Sequence, residues 1–141
     1  METSVVRKRI NESIDLARRE MAERRTRSDQ ATKEYAAFLS DVAIPLFRQV
    51  ATSLKAANFS FSVFTPSGAV RLMSDKVSED FIELTLSTTG ERPVVMVHTS
   101  RSRGRRVIES ESPIQSDTVG DITDTQLLDV VAEQLRPFVE R

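Results

Sequence analysis

Apolar residues in the first part of the chain recur every three or four positions, as they do along one side of an α-helix. Over residues 4–27 they form a single narrow stripe, and the other positions are mostly charged or polar. So narrow a stripe suits contact with one partner surface and not burial deep in a core. The stripe consists of Val6, Ile10, Ile14, Ala17 and Met21.

A second helical pattern, over residues 31–57, has a broader apolar side and predicts a helix that faces the core. Pro45 falls inside it, where it removes a backbone donor and crowds the carbonyl of Asp41. Either the helix kinks there, or one helix ends near Asp41 and another begins with Pro45 in its first turn. Residues 28–30 either cap this helix or continue the first one. We expect Asn58 to end the helical region in a left-handed conformation. The apolar side is formed by Tyr35, Phe38, Leu39, Val42, Leu46, Val50 and Leu54.

After Asn58 the period of the pattern changes from 3.6 to two. Short segments of alternating or continuous apolar residues are separated by short turns, which predicts a five-stranded antiparallel meander. The predicted strands cover residues 59–65, 69–74, 81–87, 93–100 and 105–110.

A last helix is predicted over residues 123–136, with an apolar stripe that includes Leu127. Thr123 and Gln126 have the spacing of a capping box, and Ile122 precedes them as a hydrophobic staple onto Leu127.

The order of helix, helix, five strands and helix predicts an α+β fold, in which the two core-facing helices cover one face of the sheet. We divide the chain into an N-terminal amphipathic helix over residues 1–30, which serves as an assembly arm, and a single α+β domain over residues 31–141.

Composition limits the class of protein. The 141 residues carry a net charge of −1, and the absence of cysteine excludes disulfides and thiolate chemistry. The N-terminus lacks the pattern of a secretory signal, and no segment approaches the ~20 apolar residues of a membrane span. We therefore expect a cytoplasmic protein that does not enter the membrane. Residues 1–27 hold eight Lys or Arg against five Asp or Glu, whereas residues 107–141 hold eight acids against two arginines.

The most strongly charged stretch contains four arginines around Gly104, which we expect to supply the positive φ of a hairpin turn. The simplest interpretation is a solvated hairpin tip whose arginines pair with Glu109, Glu111 or a neighbouring strand and keep the tip soluble. The alternative is a binding site for an anionic partner, since guanidinium groups suit carboxylates and phosphates. Overall acidity and the lack of interleaved aromatic residues disfavour nucleic acid, although they leave it possible. The four residues are Arg101, Arg103, Arg105 and Arg106.

His98 is the only histidine in the chain. We place it one position before the end of a strand, where it has no recognisable catalytic partner: no GxSxG elbow, P-loop or dinucleotide fingerprint occurs. A single histidine and no cysteine exclude a histidine-rich or cysteine-ligated metal site, and we expect no metal and no cofactor.

The sequence as a whole favours a non-catalytic interaction protein, such as an adaptor, accessory subunit or regulatory module. We expect it to assemble as a homo-oligomer, a dimer in the simplest case, through the stripe of residues 4–27, and to contact a protein partner. Two alternatives stay open: anion or nucleic-acid binding through the arginine-rich hairpin, and an enzyme or small-ligand-binding domain centred on His98.

Overall fold

The computed structural model describes residues 1–140, and within them it contains three α-helices and one five-stranded antiparallel sheet. This confirms the predicted α+β class. The helices are α1 (Thr3–Phe38), α2 (Ile44–Ala56) and α3 (Asp124–Val139). The strands are β1 (Phe61–Phe64), β2 (Val70–Ser74), β3 (Phe81–Ser87), β4 (Val94–Arg103) and β5 (Arg106–Pro113).

Helices α1 and α2 are joined by one π-helical segment, Leu39–Ala43, so that helical backbone runs without interruption from Thr3 to Ala56. Residues 28–30 continue α1 and do not cap a new helix. Pro45 lies in the first turn of α2, as in the second of the two predicted outcomes, but the backbone does not break before it. Proline has no amide hydrogen to donate, and the wider π turn before it accommodates the loss of that hydrogen bond.

The C-terminus of α2 closes in a Schellman motif. Asn58 has a φ of 70°, which confirms the predicted left-handed terminator. Its amide donates to the carbonyl of Lys55 at 3.0 Å, and the amide of Phe59 donates to the carbonyl of Leu54 at 2.8 Å. These two bonds satisfy carbonyls that the end of the helix would otherwise leave unpaired.

The sheet has the strand order β1-β2-β3-β4-β5, which confirms the predicted meander. Antiparallel register places Leu72 opposite Ile82 and Leu84 opposite Val97, and all four are fully buried. They form one core with side chains of the helices, including Phe47 of α2 and the three buried residues of α3, which are Leu127, Val131 and Phe138.

Strands β4 and β5 are both longer than predicted. Because β4 continues to Arg103, His98 lies well inside the strand, and its expected position near the strand end is wrong. Pairing between β3 and β4 stops at Ser100, while pairing between β4 and β5 continues to Arg103 and Arg106. Residues 101–108 therefore form a two-stranded projection, called the ribbon below. Every residue of β5 is exposed.

The cap of α3 is only partly as predicted. The Thr123 hydroxyl accepts a hydrogen bond from the amide of Gln126 at 3.1 Å, which confirms Thr123 as the N-cap. The side chain of Gln126 donates to the carbonyl of Gln115 at 2.6 Å and does not return to the N-cap amide. In a complete capping box the side chain of Gln126 would accept from the amide of Thr123. Here it instead holds the loop before α3 in place.

Candidate functional sites

The first feature is the exposed N-terminal two-thirds of α1. From residue 3 to residue 27 every side chain is exposed, and this segment is called the arm below. The predicted stripe lies on it uncovered: Ile10 is 54% exposed and Met21 is 61% exposed. The first buried residue of α1 is Ala31. No element among residues 1–140 packs on the apolar stripe.

The line of the arm's apolar stripe continues, across the polar positions Arg24 and Ser28, into the part of α1 that packs on the domain. Two series of residues run along this line, each with a spacing of seven, and together they alternate spacings of four and three, which is the pattern of a coiled-coil seam. The two series are Ile10, Ala17, Arg24, Ala31, Phe38 and Ile14, Met21, Ser28, Tyr35. Ala31, Tyr35 and Phe38 are buried. The same line is therefore covered within the domain, whereas along the arm no element of residues 1–140 covers it. Treating residues 4–27 and 31–57 as separate helices concealed this continuity.

Tyr35 anchors the buried part of this line to the sheet. Its hydroxyl lies 3.0 Å from the carbonyl oxygen of Gly68 and 3.2 Å from that of Leu84, and donates to both. Burial, helped by the negative charge of Glu83, raises the pKa of Tyr35 well above its ordinary value. This contact holds the buried part of α1, from which the arm extends, against the sheet.

A cleft of about 740 Å³ lies where the arm leaves the domain, between residues 20–34 of α1 and the loops at 91–93 and 117–119. Its walls carry charges of both signs, including Glu23, Arg27 and Asp117. A second, apolar groove of about 370 Å³ lies between α2 and α3. Its lining includes Leu46, Val50, Leu54, Leu128, Val131 and Leu135.

The arginine-rich stretch forms the end of the β4–β5 hairpin, as predicted. Gly104 has a φ of 62°, which confirms the predicted positive φ. The turn consists of Gly104 and Arg105 alone, so it is shorter than the predicted strand bounds implied. Arg103 lies directly opposite Arg106, and Arg101 lies opposite Ile108. Since opposed residues share a face and side chains alternate along a strand, three guanidinium groups belong to one face of the ribbon.

These arginines have no carboxylate partner within residues 1–140. Among residues 1–140, none of Arg101, Arg103, Arg105 and Arg106 takes part in an ion pair. The pairing with Glu109 or Glu111, one of the arrangements that the simplest interpretation allowed, is therefore absent. Alternation along β5 directs both glutamates to the face opposite that of Arg106.

His98 lies on that opposite face of the sheet, away from the helices. Its ring packs edge-on against Phe81, with 5.4 Å between ring centroids, and its Nε2 lies 3.6 Å from Oε1 of Glu109. In the part of the chain that the structure describes, no serine hydroxyl is hydrogen-bonded to His98, and no cluster of three possible metal-ligating residues occurs. The neighbouring Ser100 is buried beside Phe81 in the register.

Next to His98, sequence reasoning missed an ion pair between neighbouring strands. Arg71 of β2 and Glu83 of β3 are opposite each other, and Nε of Arg71 donates to Oε2 of Glu83 at 2.5 Å. The guanidinium carbon also lies 4.1 Å from the centroid of the Phe81 ring. The signal was present, because the alternation that sends Leu72 and Ile82 inward sends Arg71 and Glu83 outward on adjacent strands. This pair stabilises the face of the sheet that no helix covers.

The arm and the ribbon lie at opposite ends of the domain. The cleft at the base of the arm includes residues 91–93, which come directly before β4, and the ribbon lies at the far end of that strand. Ten residues of strand span about 33 Å. A partner at one end therefore leaves the other end accessible.

The search for similar proteins found no matching family model, no significant match among curated proteins and none among solved structures. None of the helices within residues 1–140 combines the length and the apolar character that crossing a bilayer requires.

Proposed function

We propose that the protein is a non-catalytic assembly module, in which the arm of one copy pairs with the arm of a second copy to form a homodimer. The observation that carries this proposal is the apolar seam that is buried at Ala31, Tyr35 and Phe38 and bare along the arm. A segment of seam that no element of residues 1–140 covers is suited to a partner in another chain.

Local interactions account for the helicity of the arm but not for its apolar stripe. Pairs such as Asp15–Arg19 and Glu23–Arg27 place an acid four residues before a base. Each such pair stabilises a helix by about 0.2–0.5 kcal/mol. Exposed Ile10 and Ile14 gain nothing from them, whereas complete burial of an isoleucine side chain contributes about 1.5–3 kcal/mol. Pairing of two arms supplies that burial.

The flanking charges favour a parallel pair. If Ile14 and Met21 occupy one core position of the heptad, and Ile10 and Ala17 the other, Glu20 and Arg25 fall beside the seam. In a parallel two-stranded arrangement, these flanking positions of opposite chains are neighbours, so that Glu20 of one copy lies next to Arg25 of the other. Because the dimer has two-fold symmetry, this contact occurs twice.

The experiment compares two substitutions on different sides of the arm. Ile14→Glu places a charge on the seam and should yield a monomer by light scattering. Leu16→Glu makes the same change at a residue that is 55% exposed but away from the stripe, and should leave the dimer intact. Circular dichroism checks that both variants fold. A wild-type chain that stays monomeric at high micromolar concentration contradicts the proposal.

A further inference from the structure

A second surface, at the other end of the domain, carries arginines that form no ion pair with any carboxylate of residues 1–140. We propose that the basic face of the ribbon, formed by Arg101, Arg103 and Arg106, binds the phosphate backbone of a nucleic-acid duplex. This proposal is independent of the pairing of the arms.

The ribbon carries a repulsion that an anion would relieve. Arg103 and Arg106 face each other in the register, and like charges placed directly opposite on neighbouring strands are destabilising. Arg101 lies two residues from Arg103 on the same face, about 7 Å away along the strand. No carboxylate among residues 1–140 is ion-paired with any of the three. A ligand with several negative charges would therefore meet three unpaired guanidinium groups.

The shape of the ribbon favours a nucleic acid over an acidic protein. Residues 103–108 are all exposed, so the hairpin is a narrow projection and not the wall of a pocket. A two-stranded ribbon fits the major groove of a duplex, which is about 12 Å wide. A groove lined on both sides by phosphates can be contacted by a projection of this kind, and guanidinium forks bind phosphate oxygens in a bidentate manner.

The net charge of −1 does not oppose this proposal, because most of the acids are located elsewhere. The carboxylate of Asp80 accepts hydrogen bonds from the amide and the hydroxyl of Ser102, whose side chain belongs to the face opposite that of Arg101 and Arg103. Glu109 and Glu111 project from the other face of β5, and Glu109 is close to His98. Several of the remaining acids of the C-terminal segment, including Asp129 and Glu133, lie on α3. The ribbon carries four arginines, so its local charge stays positive although the Asp80 carboxylate is bound at its base. The lack of aromatic residues there fits contact with a backbone and not stacking on unpaired bases.

The test measures binding of the full chain to a fluorescently labelled DNA duplex by anisotropy. The triple variant Arg101→Ser, Arg103→Ser, Arg106→Ser is compared with Arg48→Ser, Arg92→Ser, Arg136→Ser, which removes the same charge from surfaces outside the ribbon. We expect the ribbon variant to bind about tenfold more weakly or worse at about 50 mM salt, and the control to stay close to wild type. The slope of log affinity against log salt should fall by about 3 in the ribbon variant, since each phosphate contact contributes about 0.9.

Three results would overturn the proposal. The first is that the wild-type chain does not bind the duplex at low salt. The second is equal weakening in both triple variants, which would show that only overall charge matters. The third is binding of poly-glutamate in preference to the duplex with the same dependence on the ribbon, which would assign the face to an acidic protein. Circular dichroism verifies folding, and the single variant Arg103→Ser replaces the triple one if the latter does not fold.

Discussion

The hydroxyl of Tyr35 donates a hydrogen bond to the carbonyl oxygen of Leu84 at 3.2 Å, which ties the long helix to the middle of the sheet. The same hydroxyl also reaches the carbonyl of Gly68. Removing it in Tyr35→Phe leaves both carbonyls without this donor, so the free energy of unfolding should fall by about 1–2 kcal/mol. Urea denaturation followed by circular dichroism measures the difference. A variant as stable as wild type would show that water replaces the hydroxyl without cost.

The raised pKa of Tyr35 also predicts a dependence of stability on alkaline pH. The unfolded chain begins to ionise this phenol near its ordinary pKa of about 10, while burial keeps the folded form protonated. The contribution to stability is therefore complete below that value and is lost as pH rises above it. The free energy of unfolding should decrease more steeply above about pH 10 in wild type than in Tyr35→Phe. Because Tyr35 is the only tyrosine, tyrosinate absorbance reports its ionisation directly.

Much of the fold follows from local pattern. The change of apolar period after Asn58 identified all five strands and their order, since short connections allow only a meander. The left-handed conformations of Asn58 and Gly104 followed from turn chemistry. In each case the decisive interactions lie within a few residues along the chain.

The features that sequence reasoning missed depend on distant residues. Whether residues 28–30 cap or continue a helix is decided by Ala31 and Tyr35 packing against the domain. The extension of β4 to Arg103 depends on its pairing with β5, because the pairing with β3 stops at Ser100, opposite the first residue of β3. The ion pair of Arg71 with Glu83 requires the register between two strands, which the periodicity of each strand alone does not fix.

The ion pair between Arg71 and Glu83 should be important for stability. Glu83 is 9% exposed, so Arg71→Met leaves a nearly buried carboxylate without its cation. We expect a loss of about 2 kcal/mol, less than for a fully buried pair because the Arg71 side chain is 32% exposed. The double variant Arg71→Met, Glu83→Gln removes the unpaired charge and should recover part of the loss. Thermal or urea unfolding of the two variants decides this, and a double variant less stable than the single one would contradict it.

Cysteine cross-linking should reveal how two arms are oriented. The chain has no cysteine, so the single variants Ile10→Cys, Ala17→Cys and Arg24→Cys each introduce one reactive thiol. In a parallel pair, every seam position lies beside its own counterpart, and all three variants should form disulfide-linked dimers under mild oxidation. In an antiparallel pair, only a position next to the two-fold axis lies beside its own counterpart, so at most one of the three variants would form the disulfide. Leu16→Cys, off the seam, serves as the control and should cross-link poorly.

The opposed pair of Arg103 and Arg106 leads to a prediction in which stability and binding change in opposite directions. Arg106→Glu converts a like-charge pair into an opposite-charge pair across the hairpin, so the free energy of unfolding should rise by about 0.5 kcal/mol. The gain should shrink at high salt, because exposed charges are screened. The same substitution removes one phosphate-binding group and adds a repulsive one, so affinity for a duplex should fall. Arg105→Glu makes the same change of charge in the turn, where no residue lies opposite, and should not stabilise the hairpin.

Denaturation at two salt concentrations, combined with anisotropy, measures both effects. A residue retained only for stability would not behave in this way, and an Arg106→Glu variant that is less stable than wild type would show that the two guanidinium groups do not repel each other in the folded protein.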